Sequence, residues 1–121
     1  MDKNSRSTIS FPPSITPAIG RMLEQFASDT KQLLRENIHA EYLFGSYATN
    51  QQTPLSDIDI LIIVNHLTPA LQRQVSGLAS DYSLKYNVYI SPLVQDIAAW
   101  EKNQRYQTLF YQDVMQQGIP L

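Results

Sequence analysis

Leu43-Phe44-Gly45-Ser46-Tyr47-Ala48 is followed, after a polar loop over 49–56, by Asp57-Ile58-Asp59-Ile60-Leu61-Ile62-Ile63-Val64. Each apolar run reads as a strand, and the second opens on two carboxylates with one residue between them. Side chains alternate faces along a strand, so Asp57 and Asp59 point the same way, roughly 6.5–7 Å apart. Ile58 and Ile60 point the other way, into a core. Paired acids on one strand face suit Mg²⁺ bound to a triphosphate, because magnesium takes one or two carboxylates plus phosphate oxygens and water. Gly45 ends the first strand where a side chain would block close approach. A turn without a Cβ lets backbone N–H groups face an anion. Ser46 adds a hydroxyl donor for a phosphate oxygen.

Each piece also has a plain reading. Pro54-Leu55-Ser56-Asp57 is ordinary turn chemistry, and a lone Gly-Ser marks many loops. The conjunction at this spacing separates the functional reading from the plain one.

Gly-Ser, ten residues, then Asp-hydrophobic-Asp resembles the signature of the polymerase-β-like nucleotidyltransferase superfamily. The short chain and the wording Leu-Phe-Gly-Ser-Tyr-Ala look most like its minimal nucleotidyltransferase branch. A weaker likeness continues through Tyr86 to Leu121. The resemblance implies a small palm of α/β class, a mixed sheet with helices against one face. It implies Mg²⁺ as cofactor and ATP as substrate. AMP would pass to a tyrosine of a HEPN-domain ribonuclease toxin, whose antitoxin this chain would be. By that likeness Asp57 and Asp59 hold the metal, Ser46 joins them as a catalytic residue, and Gly45, Ser46 and Ser56 bind the nucleotide.

The pattern departs from the family in two places. A third carboxylate is common on the strand after the middle helix, yet here the words are Val88-Tyr89-Ile90, and Tyr89 takes the acid's place. A phenol with a pKa near 10 is a poor base or metal ligand at pH 7. Asp81 and Asp96 are the fallback acids. The basic residue usual after Gly-Ser is replaced by Tyr47, Thr49 and Asn50. An inactive antitoxin that neutralises its toxin by binding is therefore the alternative. Transfer to a small molecule ranks below both, since such relatives carry an additional acceptor domain.

The remaining composition narrows the class. The chain has 121 residues, 43% of them hydrophobic, enough for one modest core. Its net charge is −2, and its 9 Lys and Arg are scattered, which argues against direct nucleic-acid binding. Cysteine is absent, which removes disulfide and thiolate chemistry. No signal-peptide or membrane-spanning stretch is visible, so a cytoplasmic protein is expected.

Residues 1–13 are polar, end in Phe11-Pro12-Pro13 and are expected to form a flexible arm before a domain over 14–121. Thr16-Pro17 and Thr68-Pro69 are helix starts, a capping hydroxyl followed by proline at the first helical position. The pattern predicts helices over 17–37, from 69 through Tyr82, and over 104–117, and strands over 38–44, 57–64 and 87–94. Glu41 is expected to face water. His66 and His39 show no metal-ligand spacing and are expected to be solvated. Trp100, Tyr106, Phe110 and Tyr111 could form a patch where a partner docks, yet their helical spacing reads most of them as core.

Overall fold

The Thr16 hydroxyl accepts the Ile19 N–H at 3.2 Å and Pro17 supplies a preset φ, so helix α1 (Pro17–Leu34) begins where the sequence signals it. The computed structural model describes residues 9–121; residues 1–8 of the expected arm lie outside the described residues. In the rest of that segment Phe11 packs against the main core, and Ile15, just beyond it, is buried there. After α1 come β1 (Ile38–Phe44), β2 (Ile58–Val64), α2 (Pro69–Tyr86) and β3 (Ile90–Asp96). Helices α3 (Ile97–Arg105) and α4 (Leu109–Gln117) and a two-residue strand β4 (Ile119–Pro120) complete the chain.

The sheet order is β3-β2-β1-β4. Strands β1 and β2 pair antiparallel, with Phe44 opposite Asp59 and Leu43 opposite Ile60. Strands β2 and β3 run parallel across the α2 crossover, with Ile58 opposite Ile90 and Val64 opposite Asp96. Strand β4 pairs antiparallel with Tyr42 and Leu43. The sheet is mixed, with helices packed on it, as the resemblance implies.

The helices cover both faces rather than one. Six of the seven β2 residues have no exposure at all, so neither face of that strand meets water. Ile58, Ile60, Ile62 and Val64 join Leu43 and Ile90 against Met22, Leu23 and Phe26 of α1 and Val75 and Ala79 of α2. Leu61 and Ile63, of opposite parity, pack with Trp100 of α3 and Val114 of α4. A continuous apolar run on a strand that pairs on both sides is the signature of double coverage. The Trp100 ring centroid lies 6.1 Å from that of Phe110, edge-on, and 5.1 Å from that of Tyr111, so these three pack as core. Tyr106, by contrast, is 67% exposed where the chain breaks between the last two helices.

Two elements and one side chain differ from the sequence reading. The third strand starts at Ile90, not 87, because Asn87 sits in the left-handed region (φ 54°, ψ 46°) and caps α2. The single last helix is two, broken at 106–108, where Gln107 has φ 49° and the Thr108 side chain caps α4 through the Tyr111 N–H. Asp96 caps α3 in the same manner, accepting from Ala99 at 2.8 Å. Glu41 does not face water. It shares a sheet face with Leu43, which α1 covers, and is 3% exposed. One carboxylate oxygen accepts from the Thr30 hydroxyl at 2.8 Å and from Lys31 Nζ at 3.4 Å. The other has no hydrogen-bond partner among the described residues. Burial raises its pKa above the ordinary 4.5, against the lowering pull of Thr30 and Lys31.

Among the described residues no helix is long and apolar enough to cross a membrane.

An Ile62→Ala substitution should cost about 2–5 kcal/mol in urea unfolding, the range for truncating a sealed core residue. Leu84→Ala, at a side chain 84% exposed, should stay within about 0.5 kcal/mol.

Candidate active site

The ladder between β1 and β2 brings the two halves of the motif together. Phe44, the last residue of β1, lies opposite Asp59, so the next residue of the chain turns beside that aspartate. Gly45 makes the turn at φ 75°, a conformation that L side chains rarely adopt. A Cβ built on Gly45 would overlap the Asp59 Oδ2 and stand 3.2 Å from its Cγ. Glycine is required here twice over, by the backbone angle and by the carboxylate pressed against it.

Gly45 to Tyr47 form one 3₁₀ turn, and the loop behind it folds back onto it. The Gly45 carbonyl accepts from the N–H groups of Ala48 and Thr49, and the Ser46 carbonyl from those of Thr49 and Gln51. Ser46 is half-buried in this turn. Tyr47 and Ala48 pack back onto the main core and anchor it. At the far end of the loop the Ser56 hydroxyl accepts the Thr53 N–H at 2.8 Å, which fixes the approach to Asp57. Among the nucleotide-binding candidates, Ser56 thus already holds its own turn.

Asp57 is exposed and Asp59 half-buried, and strand parity puts both on the α3 and α4 side of the sheet, with Leu61 and Ile63. Burial pushes the Asp59 carboxyl above its ordinary 3.8, and the negative charge of Asp57 pushes it further. The two acids therefore sense each other. Their repulsion is of the kind a cation between them would remove.

The parallel ladder pairs Asp59 with Ser91. Ser91, rather than Tyr89, stands directly across from the second aspartate, and Tyr89 is 62% exposed at the strand entrance. Neither is an acid. Asp96 sits at the opposite end of β3, across from Val64, with its carboxylate committed to capping α3. Asp81 is exposed on α2, which packs on the other sheet face. His66 also lies at the far end of β2, where its backbone bonds to the Asn37 side chain. Among the described residues no group of three or more His, Cys, Asp or Glu could hold a metal. The site consists of two carboxylates, a half-buried serine and an open glycine turn.

Comparison with known proteins gives a consistent answer. The family model described as polymerase beta, nucleotidyltransferase, matches residues 28–119. Two proteins of Methanocaldococcus jannaschii, provisionally named protein adenylyltransferases MJ0141 and MJ0604, are similar in sequence. MJ0141 is 35% identical over 74 residues, 60% of this chain and 75% of the relative. MJ0604 is 31% identical over 98 residues, 81% of this chain and 92% of the relative. A crystal structure of a mutant MntA–HpeT toxin–antitoxin is similar at 23% identity and a TM-score of 0.44, over 78% of this chain and 69% of that one. A likeness that loose carries no argument about activity or partner.

Two substitutions test the geometry. Gly45→Ala should destabilise the fold by about 1–3 kcal/mol, since an L residue is strained at this φ, and the added methyl should also displace Asp59. Asp59→Asn should raise the melting temperature at pH 7. The folded chain holds the Asp59 proton more tightly than the unfolded chain, so stability falls as pH rises from about 3.8 through the raised value. The gain from Asn should shrink as pH is lowered toward 4. A pH series of thermal melts on both proteins checks it.

Proposed function

The chain belongs to the polymerase-β nucleotidyltransferase family, and from that premise we propose that it transfers AMP from ATP, with Mg²⁺, to a tyrosine hydroxyl of a HEPN-type ribonuclease toxin and so serves as its antitoxin. The observation that carries the reading is the meeting of Gly45 with Asp59, which puts the open turn and the carboxylate pair at one spot. The relatives' names supply the support for a protein as acceptor. The HEPN partner rests on the motif resemblance alone.

In this reading Asp57 and Asp59 hold the cation, since two carboxylates that repel each other fit a divalent ion bringing its own phosphate oxygens. A bound Mg²⁺ would neutralise charge on the triphosphate as pyrophosphate departs. The backbone at Gly45 receives phosphate oxygens where a Cβ would exclude them, and the Ser46 hydroxyl donates to one of them. The tyrosine oxygen forms a bond to the α-phosphorus, and the bond from that phosphorus to the pyrophosphate oxygen breaks. Holding both in line is most of the catalysis in such transfers.

The phenolic proton goes to solvent, because Ser91 stands where an acid could have taken it. A positioned base typically contributes about 10²–10⁴-fold, so this site forgoes that factor. That favours tyrosine as acceptor, for a phenol with a pKa near 10 gives up its proton far more readily than an alkyl alcohol. The same gap favours the alternative in which the chain neutralises its toxin by covering it.

Intact-mass analysis of the partner after incubation with ATP and Mg²⁺ decides between them. Transfer adds one AMP unit or a whole multiple to the toxin, and Asp57→Ala or Asp59→Ala reduces this to background. Tight co-purification with unchanged partner mass would overturn transfer and leave binding as the function.

A further inference from the structure

A cavity of about 340 Å³ lies between the Gly45 turn and α4, and neither aspartate lines it. Its volume falls within the roughly 300–1,000 Å³ of small-molecule sites. Phe44 and Phe110 form apolar walls, their rings 5.4 Å apart and edge-on to each other. Asp113 and Gln117 line it from α4. They are one helical turn apart, so both side chains project from the same stripe of that helix. No hydrogen bond or ion pair occupies either of them among the described residues.

Gly45 belongs to this cavity and also abuts the Asp59 carboxylate. One glycine backbone thus separates an aromatic-walled pocket from the acids assigned to the phosphates. A nucleotide whose phosphates lie at Asp57 and Asp59 has its base within reach of such a pocket.

We propose that the cavity between Gly45 and α4 is the nucleoside subsite, taking an adenine base whose edge is read by Asp113 and Gln117. Adenine presents an exocyclic amine, a donor, beside a ring nitrogen, an acceptor. A carboxylate only accepts and a side-chain amide can donate. Asp113 therefore takes the amine hydrogen, and the Gln117 amide donates to the ring nitrogen. The Phe44 and Phe110 walls meet the faces and edges of the ring, a contact that tolerates any base. Selectivity falls to the two polar residues. This rests on the functional reading above, because it assumes that the triphosphate lies at the aspartates.

The test measures binding by calorimetry with the full chain and Mg²⁺, using ATP, UTP and inorganic tripolyphosphate as probes. Tripolyphosphate reports the phosphate end alone. The wild-type chain should bind ATP more tightly than tripolyphosphate and at least tenfold more tightly than UTP, whose carbonyl replaces the amine and which keeps only the contact with the aromatic walls. The double substitution Asp113→Ala with Gln117→Ala, at two exposed positions, should bring ATP to the UTP level and leave tripolyphosphate unchanged. Asp113→Asn, which keeps the shape but adds a donor, should weaken ATP by itself. ATP binding unaltered by these changes would overturn the subsite while leaving the phosphate end intact. Failure of both ATP and tripolyphosphate to bind the wild-type chain would overturn the functional reading and the subsite with it.

Discussion

The antiparallel register between β1 and β2 is the constraint from which the rest follows. Pairing Phe44 with Asp59 fixes where β1 must end, and the turn that leaves it has no option but to pass the carboxylate. Only a residue without a Cβ, able to hold φ 75°, can do so. A slip of one residue would turn every β2 side chain to the opposite face. Asp59 would then enter the α1 and α2 core, and Ile58 or Ile60 would meet the Gly45 turn. The sheet is protected from that slip because both faces of β2 are sealed, by two separate clusters.

Sealing has a cost at the strand's open end. Asp59 is half-buried beside a like charge, an arrangement that works against folding. Sites that must bind charged ligands commonly give up stability in this way. Glu41 is a different case. It too is buried, but Thr30 and Lys31 hold one oxygen, and it faces away from the aspartates into the α1 layer. Its burial concerns how α1 and the chain's last residues dock on β1, since Lys31 also reaches the Leu121 carbonyl at 3.0 Å.

Much of this was legible in the residues. Thr16-Pro17 and Thr68-Pro69 announce their helices because hydroxyl and proline act locally. Strand β2 announces itself because an unbroken apolar run such as Ile60 to Val64 has few other uses, and β1 through the apolar Tyr42-Leu43-Phe44 that ends at Gly45. The glycine, the serine and the two acids declare their chemistry through spacing, and the ladder then brings Gly45 and Asp59 into contact. What escaped depends on context beyond a few neighbours. Asn87 in the left-handed region delays β3, and Gln107 in the same region splits the final helix. The sequence reads Asn87 as the first residue of a strand and Gln107 as the middle of a helix, and a left-handed backbone ends the element at each. Glu41 misled because a charged residue on a strand suggests solvent, whereas its alternation with Leu43 placed it under α1. Asp113 and Gln117 gave no signal at all. Their nearness to Gly45 exists only after α4 folds back over the sheet.

Both margins of the sheet are held by strands that contain a proline. Strand β3 carries Pro92 and β4 carries Pro120, and a proline cannot donate a main-chain hydrogen bond. An edge so interrupted is a poor template for another chain to extend. A domain whose central strand is as apolar as Ile60-Leu61-Ile62-Ile63-Val64 would otherwise invite fibrous stacking. With the two rims blunted, that segment reaches a neighbouring molecule only through loss of the fold itself.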